Sequence, residues 1–210
     1  MIGAMNDQPA PRLFCFGLGY SAAALARPVL ARGWQVAGTV RAAEKAAGLK
    51  AQGIAVVLFD GKQSMPDGAL DGATHVLVSV PPDAAGDPVL RLARAAIAAA
   101  RPAWIGYLST TGVYGNRDGG RVDEGSALKP TAERARRRVQ AELDWLHFGE
   151  SAGLAVHVFR LAGIYGPGRS VFDDLRAGTA RRIDKPGHVF SRIHVDDIAR
   201  VLLASIGRPR

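Results

Sequence analysis

The segment 13–22 constrains the fold of this chain more than any other stretch. It joins a short apolar run to a helical pattern through the spacing Gly17-x-Gly19-x-x-Ala22. The first glycine permits a tight turn, the second lets a ligand approach the backbone, and a small third residue lets the helix pack closely on the strand. This arrangement predicts the strand–turn–helix unit of a dinucleotide-binding fold.

The helix after this turn is expected to point its first free N–H groups, at Tyr20, Ser21 and Ala22, towards the bound ligand. These groups and the positive end of the helix dipole favour a pyrophosphate. They are therefore predicted to contact the cofactor together with the two glycines. Val80, at the end of the fourth predicted strand, is expected to join them.

Strand-like and helical segments alternate along the rest of the chain. The expected strands lie at 13–16, 35–40, 54–59, 75–80, 104–108 and 154–161, and the expected helices at 20–32, 42–52, 89–100, 131–149 and 195–206. This alternation favours right-handed crossovers in a parallel sheet. We therefore predict an α/β, doubly wound parallel sheet, a Rossmann fold with strand order 3-2-1-4-5-6 and its ligand at the carboxyl ends of the strands.

Several local features refine this expectation. Pro28 should kink or split the first helix because proline lacks the N–H that a helix interior needs. The uninterrupted apolar run 54–59 predicts a strand covered on both faces. A polar loop is expected at 109–129, another loop around 165–168, and a short strand at 188–193.

The chain has 210 residues, enough for one domain, with 1–11 as a flexible lead and 12–210 as the domain. No apolar run is as long as a membrane span, and no secretory leader is recognisable. The single cysteine, Cys15, lies in the first predicted strand and suits a reducing cytoplasm.

The net charge of +8 allows either a nucleic-acid partner or an arginine-rich surface that attracts phosphorylated small ligands. The second interpretation is favoured, because no known nucleic-acid module or set of stacking aromatic residues is present. The five histidines lack metal-ligand spacing, so no metal site is expected. His194 is expected to make a structural hydrogen bond.

Two residues after predicted strands bear on the choice of cofactor. NAD-binding folds place an acid after the second strand, but this chain has Arg41 there. Arg41 either binds the 2′-phosphate of NADP or is a solvated loop arginine, which tilts the prediction slightly to NADP over NAD. Asp60 either stabilises a turn, which we favour, or binds the adenine amino group.

Hydroxyl groups follow the fifth predicted strand, at Ser109, Thr110 and Tyr114. In this fold, hydroxyls there can hydrogen-bond a substrate oxygen as its charge changes during hydride transfer. The alternative is that Ser109 and Thr110 satisfy backbone groups in a turn.

Four motifs occur in order: Gly17-x-Gly19, STTGVYG at 109–115, RLAGIYGPG at 160–168 and RIHVDDIA at 192–199. Together they resemble the NAD-dependent epimerase/dehydratase group of extended short-chain dehydrogenases, over about residues 13–203. The resemblance implies an NAD(P)-dependent oxidoreductase or epimerase acting on a carbonyl or sugar-nucleotide substrate. It also implies that Thr110 polarises the substrate oxygen, aided by Ser109 and Tyr114.

The chain departs from this family at its proton donor, which the family places in a Tyr-x-x-x-Lys pair on the next helix. One alignment puts Glu133 and Arg137 at these positions, and another puts Arg134 and Arg138 there. Neither supplies a phenol, and Gly163 replaces a family asparagine. The site is therefore atypical, and a non-catalytic NAD(P)-responsive binding protein is the alternative function.

Two further expectations concern the arginines and the end of the chain. The arginines at the start of the fourth helix could neutralise a substrate phosphate or the cofactor pyrophosphate. A mostly solvated face is favoured, because helical geometry lets at most two of them share one face. Family members continue into a small substrate-binding lobe, whereas this sequence ends at Arg210, so little or no C-terminal lobe is expected. The apolar edge left exposed would then favour a homodimer.

Overall fold

The computed structural model describes residues 9–182, 184 and 189–208. The strands are β1 (Arg12–Phe16), β2 (Gln35–Val40), β3 (Ala55–Leu58), β4 (His75–Val78), β5 (Trp104–Thr110), β6 (Val156–Leu161), β7 (Gly163–Tyr165) and β8 (Arg192–His194). The helices are α1 (Tyr20–Leu30), α2 (Glu44–Lys50), α3 (Pro88–Ala100), α4 (Glu133–Ala152), α5 (Val171–Arg176) and α6 (Val195–Gly207). The expected lead is only partly covered, since 1–8 lie outside the described residues.

The main sheet has six strands in the order β3-β2-β1-β4-β5-β6, and every adjacent pair is parallel. This confirms the predicted doubly wound α/β sheet and its strand order. Beyond β6, the described residues add only α5, α6 and a small parallel ladder between β7 and β8. No helix in the described part of the chain is long and apolar enough to span a membrane.

Helices cover both faces of the sheet, and the side chains of β1 pack alternately against the two helical layers. Leu13 and Cys15 pack towards α1 and α6, whereas Phe14 and Phe16 pack towards α3 and α4. All four side chains are fully buried, as expected for a central strand covered on both faces. The carboxyl ends of the strands remain as the open edge of this three-layer structure.

The first helix is not split at Pro28, which excludes one of the two outcomes expected there, a kink or a split. α1 continues from Tyr20 to Leu30, and Pro28 lies in its last turn. A proline there removes one backbone hydrogen bond near the helix end, so the helix is not divided in its middle.

The third strand is also less buried than its apolar sequence suggested. β3 is an edge strand, and the side chain of Leu58 is 57% exposed. An edge strand has a neighbour on one side only, so apolar composition alone did not ensure burial on both faces.

The segments after β5 and β6 are more ordered than the predicted loops. Thr111–Tyr114 forms a 3-10 helix, and the expected loop around Tyr165 begins as strand β7. β7 pairs with β8, which lies slightly later than the expected short strand; His188 is outside the described residues. α5 was not predicted; a Ser170–Asp173 capping box stabilises its start.

Candidate functional site

A cleft of about 250 Å³ opens at the carboxyl ends of the central strands. It lies where the strand order reverses between β1 and β4, which is the place where doubly wound sheets bind ligands. The residues that line it are Gly19, Tyr20, Ser21, Ser79, Leu108, Ser109, Arg138, Leu161, Ile164 and Arg169. Among these residues none is acidic and two are arginines.

The glycine turn at the base of the cleft is fixed by β2. The Gly17 N–H donates to Thr39 Oγ1 (2.8 Å), and the Leu18 N–H donates to the Thr39 carbonyl (2.8 Å). Thr39 itself is 1% exposed. The turn is therefore held in shape before any ligand binds.

Gly17 has a φ of +85°, a conformation that favours glycine. A Cβ there would lie 2.9 Å from Ser79 Oγ and 3.2 Å from Val80 Cγ2. The Ser79 hydroxyl also donates to the Gly17 carbonyl (2.6 Å). The end of β4, with Ser79 and Val80, thus packs directly against the turn.

The start of α1 faces the cleft without a capping side chain and without an acid in its first turn. Its first N–H groups, at Tyr20, Ser21 and Ala22, have no intrahelical acceptor. Ala22 itself is fully buried. The Arg169 guanidinium lies 5.7 Å from the centre of the Tyr20 ring. Its positive charge adds to that of the α1 N–H groups at this end of the cleft.

The loop after β7 closes over the same helix start. The Tyr20 hydroxyl donates to the Pro167 carbonyl (3.0 Å), and a Cβ at Gly166 would lie 2.6 Å from the Tyr20 oxygen. At the far end of this region, the His194 ring accepts from the Asp196 N–H (3.2 Å) at the start of α6. His194 therefore makes the structural hydrogen bond that the sequence predicted.

Arg41 and Asp60 lie apart from the cleft lining. Arg41 is exposed directly after β2. Asp60 follows β3, and its Oδ1 accepts from the Lys62 N–H (2.8 Å). This hydrogen bond is the main reason why the pKa of Asp60 is lowered, and it places the carboxylate in a turn.

Ser109 is part of a buried polar cluster behind the cleft. Its hydroxyl donates to Glu142 Oε1, and Glu142 Oε2 accepts from Arg160 Nη2 (2.8 Å) and Nε (3.1 Å). Arg160 Nη1 donates to the Tyr114 hydroxyl (2.9 Å). Glu142 is 1% exposed, and its hydrogen bond is the main cause that raises the pKa of Arg160.

The three predicted catalytic residues therefore have different surroundings. Ser109 lines the cleft, whereas Tyr114 is 5% exposed and packs under Arg160. Thr110 ends β5, and its Oγ1 accepts from the Gly112 N–H (3.1 Å) as the cap of the 3-10 helix. Thr110 thus makes the local turn contact that was the alternative interpretation of its sequence position.

The arginines of α4 were expected to be mostly solvated, and Arg138 is the exception. Its Nη1 donates to the Tyr107 hydroxyl (3.0 Å) and to the Leu108 carbonyl (3.0 Å), and the side chain lines the cleft. Arg136 and Arg137 pair instead with Glu133 on the outer face of α4. Successive helical residues point about 100° apart, so adjacent arginines meet different surroundings.

Two buried groups lie behind Arg138. Burial raises the pKa of the Tyr107 phenol above its ordinary range, although Arg138 acts in the opposite direction. Burial likewise raises the pKa of Asp87, whose Oδ1 accepts from the N–H groups of Val89 and Leu90 at the start of α3. The Tyr107 hydroxyl therefore contributes a neutral acceptor to Arg138.

Sequence reasoning missed three site residues, Thr39, Ser79 and Arg169, and did not separate Arg138 from the other arginines of its helix. The first two are small polar residues at the ends of strands that flank the glycine turn, and this position was the available sign. Arg138 lies three residues after Ala135 and four before Glu142, both buried. That helical spacing places it on the inward face of α4.

A larger groove of about 540 Å³ lies between α3 and α4, lined partly by Leu90, Arg94 and Phe148. It is on the flank of the sheet and holds none of the strand-end groups, so it does not define the site. Across the described residues, no three His, Cys, Asp or Glu side chains come together as a possible metal site.

The fold is that of the NAD-dependent epimerases and dehydratases. The chain superposes on dTDP-glucose 4,6-dehydratase from Bacillus anthracis, crystallised with NAD, with a TM-score of 0.77 at 15% identity, covering 96% of this chain and 73% of that one. It is 28% identical to the Escherichia coli K12 protein YeeZ, over 92% of this chain and 72% of YeeZ. No protein-family model matches the sequence.

A nearer likeness places the chain within a family. A structure of a conserved protein of unknown function from Silicibacter pomeroyi DSS is 49% identical, with a TM-score of 0.87, covering 96% of this chain and 70% of that protein. The chain belongs to the same family as this protein.

Proposed function

We propose that this protein binds a nicotinamide dinucleotide in the cleft, with the cofactor pyrophosphate at the start of α1. The observation that carries the proposal is the uncapped first turn of α1, behind a glycine turn fixed by Thr39. Free N–H groups and the helix dipole favour an anion there, and a Cβ at Gly19 would meet no protein atom within 4 Å. Tyr20, Ser21 and Ala22 contribute these N–H groups, and Arg169 neutralises remaining charge.

The proposed cofactor is NADP in preference to NAD, because Arg41 follows β2 where an acid would serve the NAD ribose. Replacing Arg41 with alanine should raise the Kd for NADPH about tenfold and leave the Kd for NADH within about twofold, since a guanidinium–phosphate pair is lost. Isothermal titration of both cofactors measures this. Equal losses for NADH and NADPH would contradict the assignment of Arg41 to the 2′-phosphate.

The proposed activity is that of an oxidoreductase or epimerase on a carbonyl or sugar-nucleotide substrate. When bound, the nicotinamide supplies hydride transfer. Ser109 gives its only proton to Glu142 and therefore offers lone pairs to the cleft, which suits a substrate hydroxyl. Thr110 accepts from Gly112 and keeps its own proton for a substrate carbonyl. Tyr114 is proposed to act through Arg160 on the same cluster.

Substitution of Ser109 and Thr110, together with a substrate screen, distinguishes an enzyme from a non-catalytic binding protein. NADPH oxidation is followed with a panel of small ketones and aldehydes. Conversion of sugar nucleotides is followed by NMR of the sugar, because an epimerase consumes no NADPH overall. For any substrate turned over, Ser109→Ala and Thr110→Ala should each lower kcat about a hundredfold, as is typical for loss of a proton-transfer or oxyanion contact. Cofactor binding without turnover of the whole panel favours the regulatory alternative, which the absence of Tyr-x-x-x-Lys motivates.

The remaining parts of the proposal concern the protein's setting. A cytoplasmic location is proposed because Cys15 is a free, fully buried thiol whose pKa burial raises to about 12. A homodimer is consistent with the exposed side chains of Val171, Phe172 and Leu175 on α5. The unknown small-molecule substrate and the dinucleotide are the proposed ligands, and a nucleic-acid partner is not proposed.

A further inference from the structure

We infer that Arg138 forms an oxyanion subsite in the cleft, so that the substrate carries a carboxylate or phosphate close to its reacting group. This inference rests on the proposed function and names the substrate class for the same cleft. It goes beyond the proposed pyrophosphate position because Arg138 contacts Leu108 at the end of β5, whereas the pyrophosphate is proposed at the start of α1 in the same cleft.

The Arg138 guanidinium is held in a fixed orientation. The side chain is half-buried, its Nη1 is held by the Tyr107 hydroxyl and the Leu108 carbonyl, and its charge lies 5.6 Å from the centre of the Tyr107 ring. Both hydrogen bonds use the same nitrogen. These two bonds orient the planar guanidinium, and its N–H groups on Nη2 and Nε remain available for a ligand.

The charge of Arg138 also lacks a balancing carboxylate. Arg136 and Arg137 pair with Glu133, and Arg160 pairs with Glu142, whereas no ion pair within the described chain involves Arg138. Its two acceptors are neutral oxygens. A guanidinium that is partly withdrawn from water without a carboxylate partner gains most from an anionic ligand.

The neighbouring acids do not supply that partner. Glu142 accepts from Arg160 and Ser109, and Asp87 Oδ1 accepts from the start of α3. Asp87 influences Arg138 through its charge only, without a hydrogen bond between them. Because no described residue that lines the cleft is acidic, no carboxylate there repels a bound oxyanion.

Calorimetric titration tests the subsite. Protein saturated with NADPH, which occupies the start of α1, is titrated with oxalate and with inorganic phosphate, as carboxylate and phosphate probes. At least one should bind, and Arg138→Gln should weaken that binding about tenfold or more because a charge-assisted hydrogen-bonded pair is lost. Whichever probe binds more tightly identifies the source of the oxyanion. Arg137→Gln, on the same helix but paired outside the cleft, should leave it unchanged.

Arg138→Lys is the control for a folding defect. It keeps the positive charge but loses the bidentate guanidinium, so its affinity for the probe should lie between those of wild type and Arg138→Gln, with an unchanged Tm. Equal probe binding by wild type and Arg138→Gln, or no probe binding by wild type, overturns the subsite.

The cofactor titrations keep the two proposals distinct. NADPH affinity should be the same in wild type, Arg138→Gln and Arg137→Gln. If wild type binds no dinucleotide, the proposed function fails, and the probes are then titrated into cofactor-free protein. Arg138-dependent binding there still supports the subsite, and Arg138-independent binding overturns it.

Discussion

Replacing Glu142 with glutamine is expected to lower the free energy of unfolding by about 3 kcal/mol, because the partly buried Arg160 guanidinium would lose its charged partner. Glu142 is 1% exposed, and Arg160 is held against it by three hydrogen bonds of 2.8–3.3 Å. The glutamine would turn an N–H₂ group or a single neutral oxygen towards the guanidinium. Urea denaturation at pH 7 measures the loss.

The matched control is Glu133→Gln on the same helix. Glu133 also contacts two arginines, Arg136 and Arg137, but this cluster is exposed and should contribute little. The two substitutions change the same chemical group in the same helix and differ in burial. Equal stabilities for both variants would contradict the structural importance assigned to the Glu142–Arg160 pair.

Replacing Gly19 with valine is expected to weaken dinucleotide binding at least about a hundredfold while leaving the protein folded. Its φ of −89° is accessible to any residue, and a Cβ there would meet no protein atom within 4 Å. The added side chain would instead occupy the space proposed for the pyrophosphate. Thermal unfolding and NADPH titration of the same sample separate these effects.

Gly48→Ala is the corresponding control, because Gly48 also has free space around a Cβ but lies in α2, away from the cleft. It should bind NADPH as wild type does and should be equally or slightly more stable, since alanine favours a helix. Unchanged NADPH affinity in Gly19→Val would mean that the pyrophosphate does not lie at this turn.

The arrangement of the sheet was predictable because it follows from patterns along the chain. Alternating strands and helices, together with a glycine turn after the first strand, restrict a parallel sheet to few topologies. Burial was harder to predict: the apolar run that forms β3 gave no sign that Leu58 would lie on an exposed edge. Edge position depends on the neighbours a strand acquires, which the strand's own composition does not encode.

The chemistry of the cleft was predictable only in part. Ser109 was identified from its place after a central strand, but its hydrogen bond to Glu142 joins residues 33 positions apart. The sequence did not distinguish Arg138 from the neighbouring arginines. Its role depends on which face of α4 points inward, and the buried residues Ala135, Glu142 and Trp145 mark that face. Such contacts depend on how α4 docks against β5, and residue spacing alone does not specify that docking.

The proposed function depends on a nicotinamide dinucleotide in the cleft at the start of α1. Isothermal titration of the wild-type protein with NADPH and NADH tests this most directly. The expected result is saturable binding of one dinucleotide per chain, tighter for NADPH, and lost in Gly19→Val. Absence of binding of both cofactors to folded protein would contradict the proposed function.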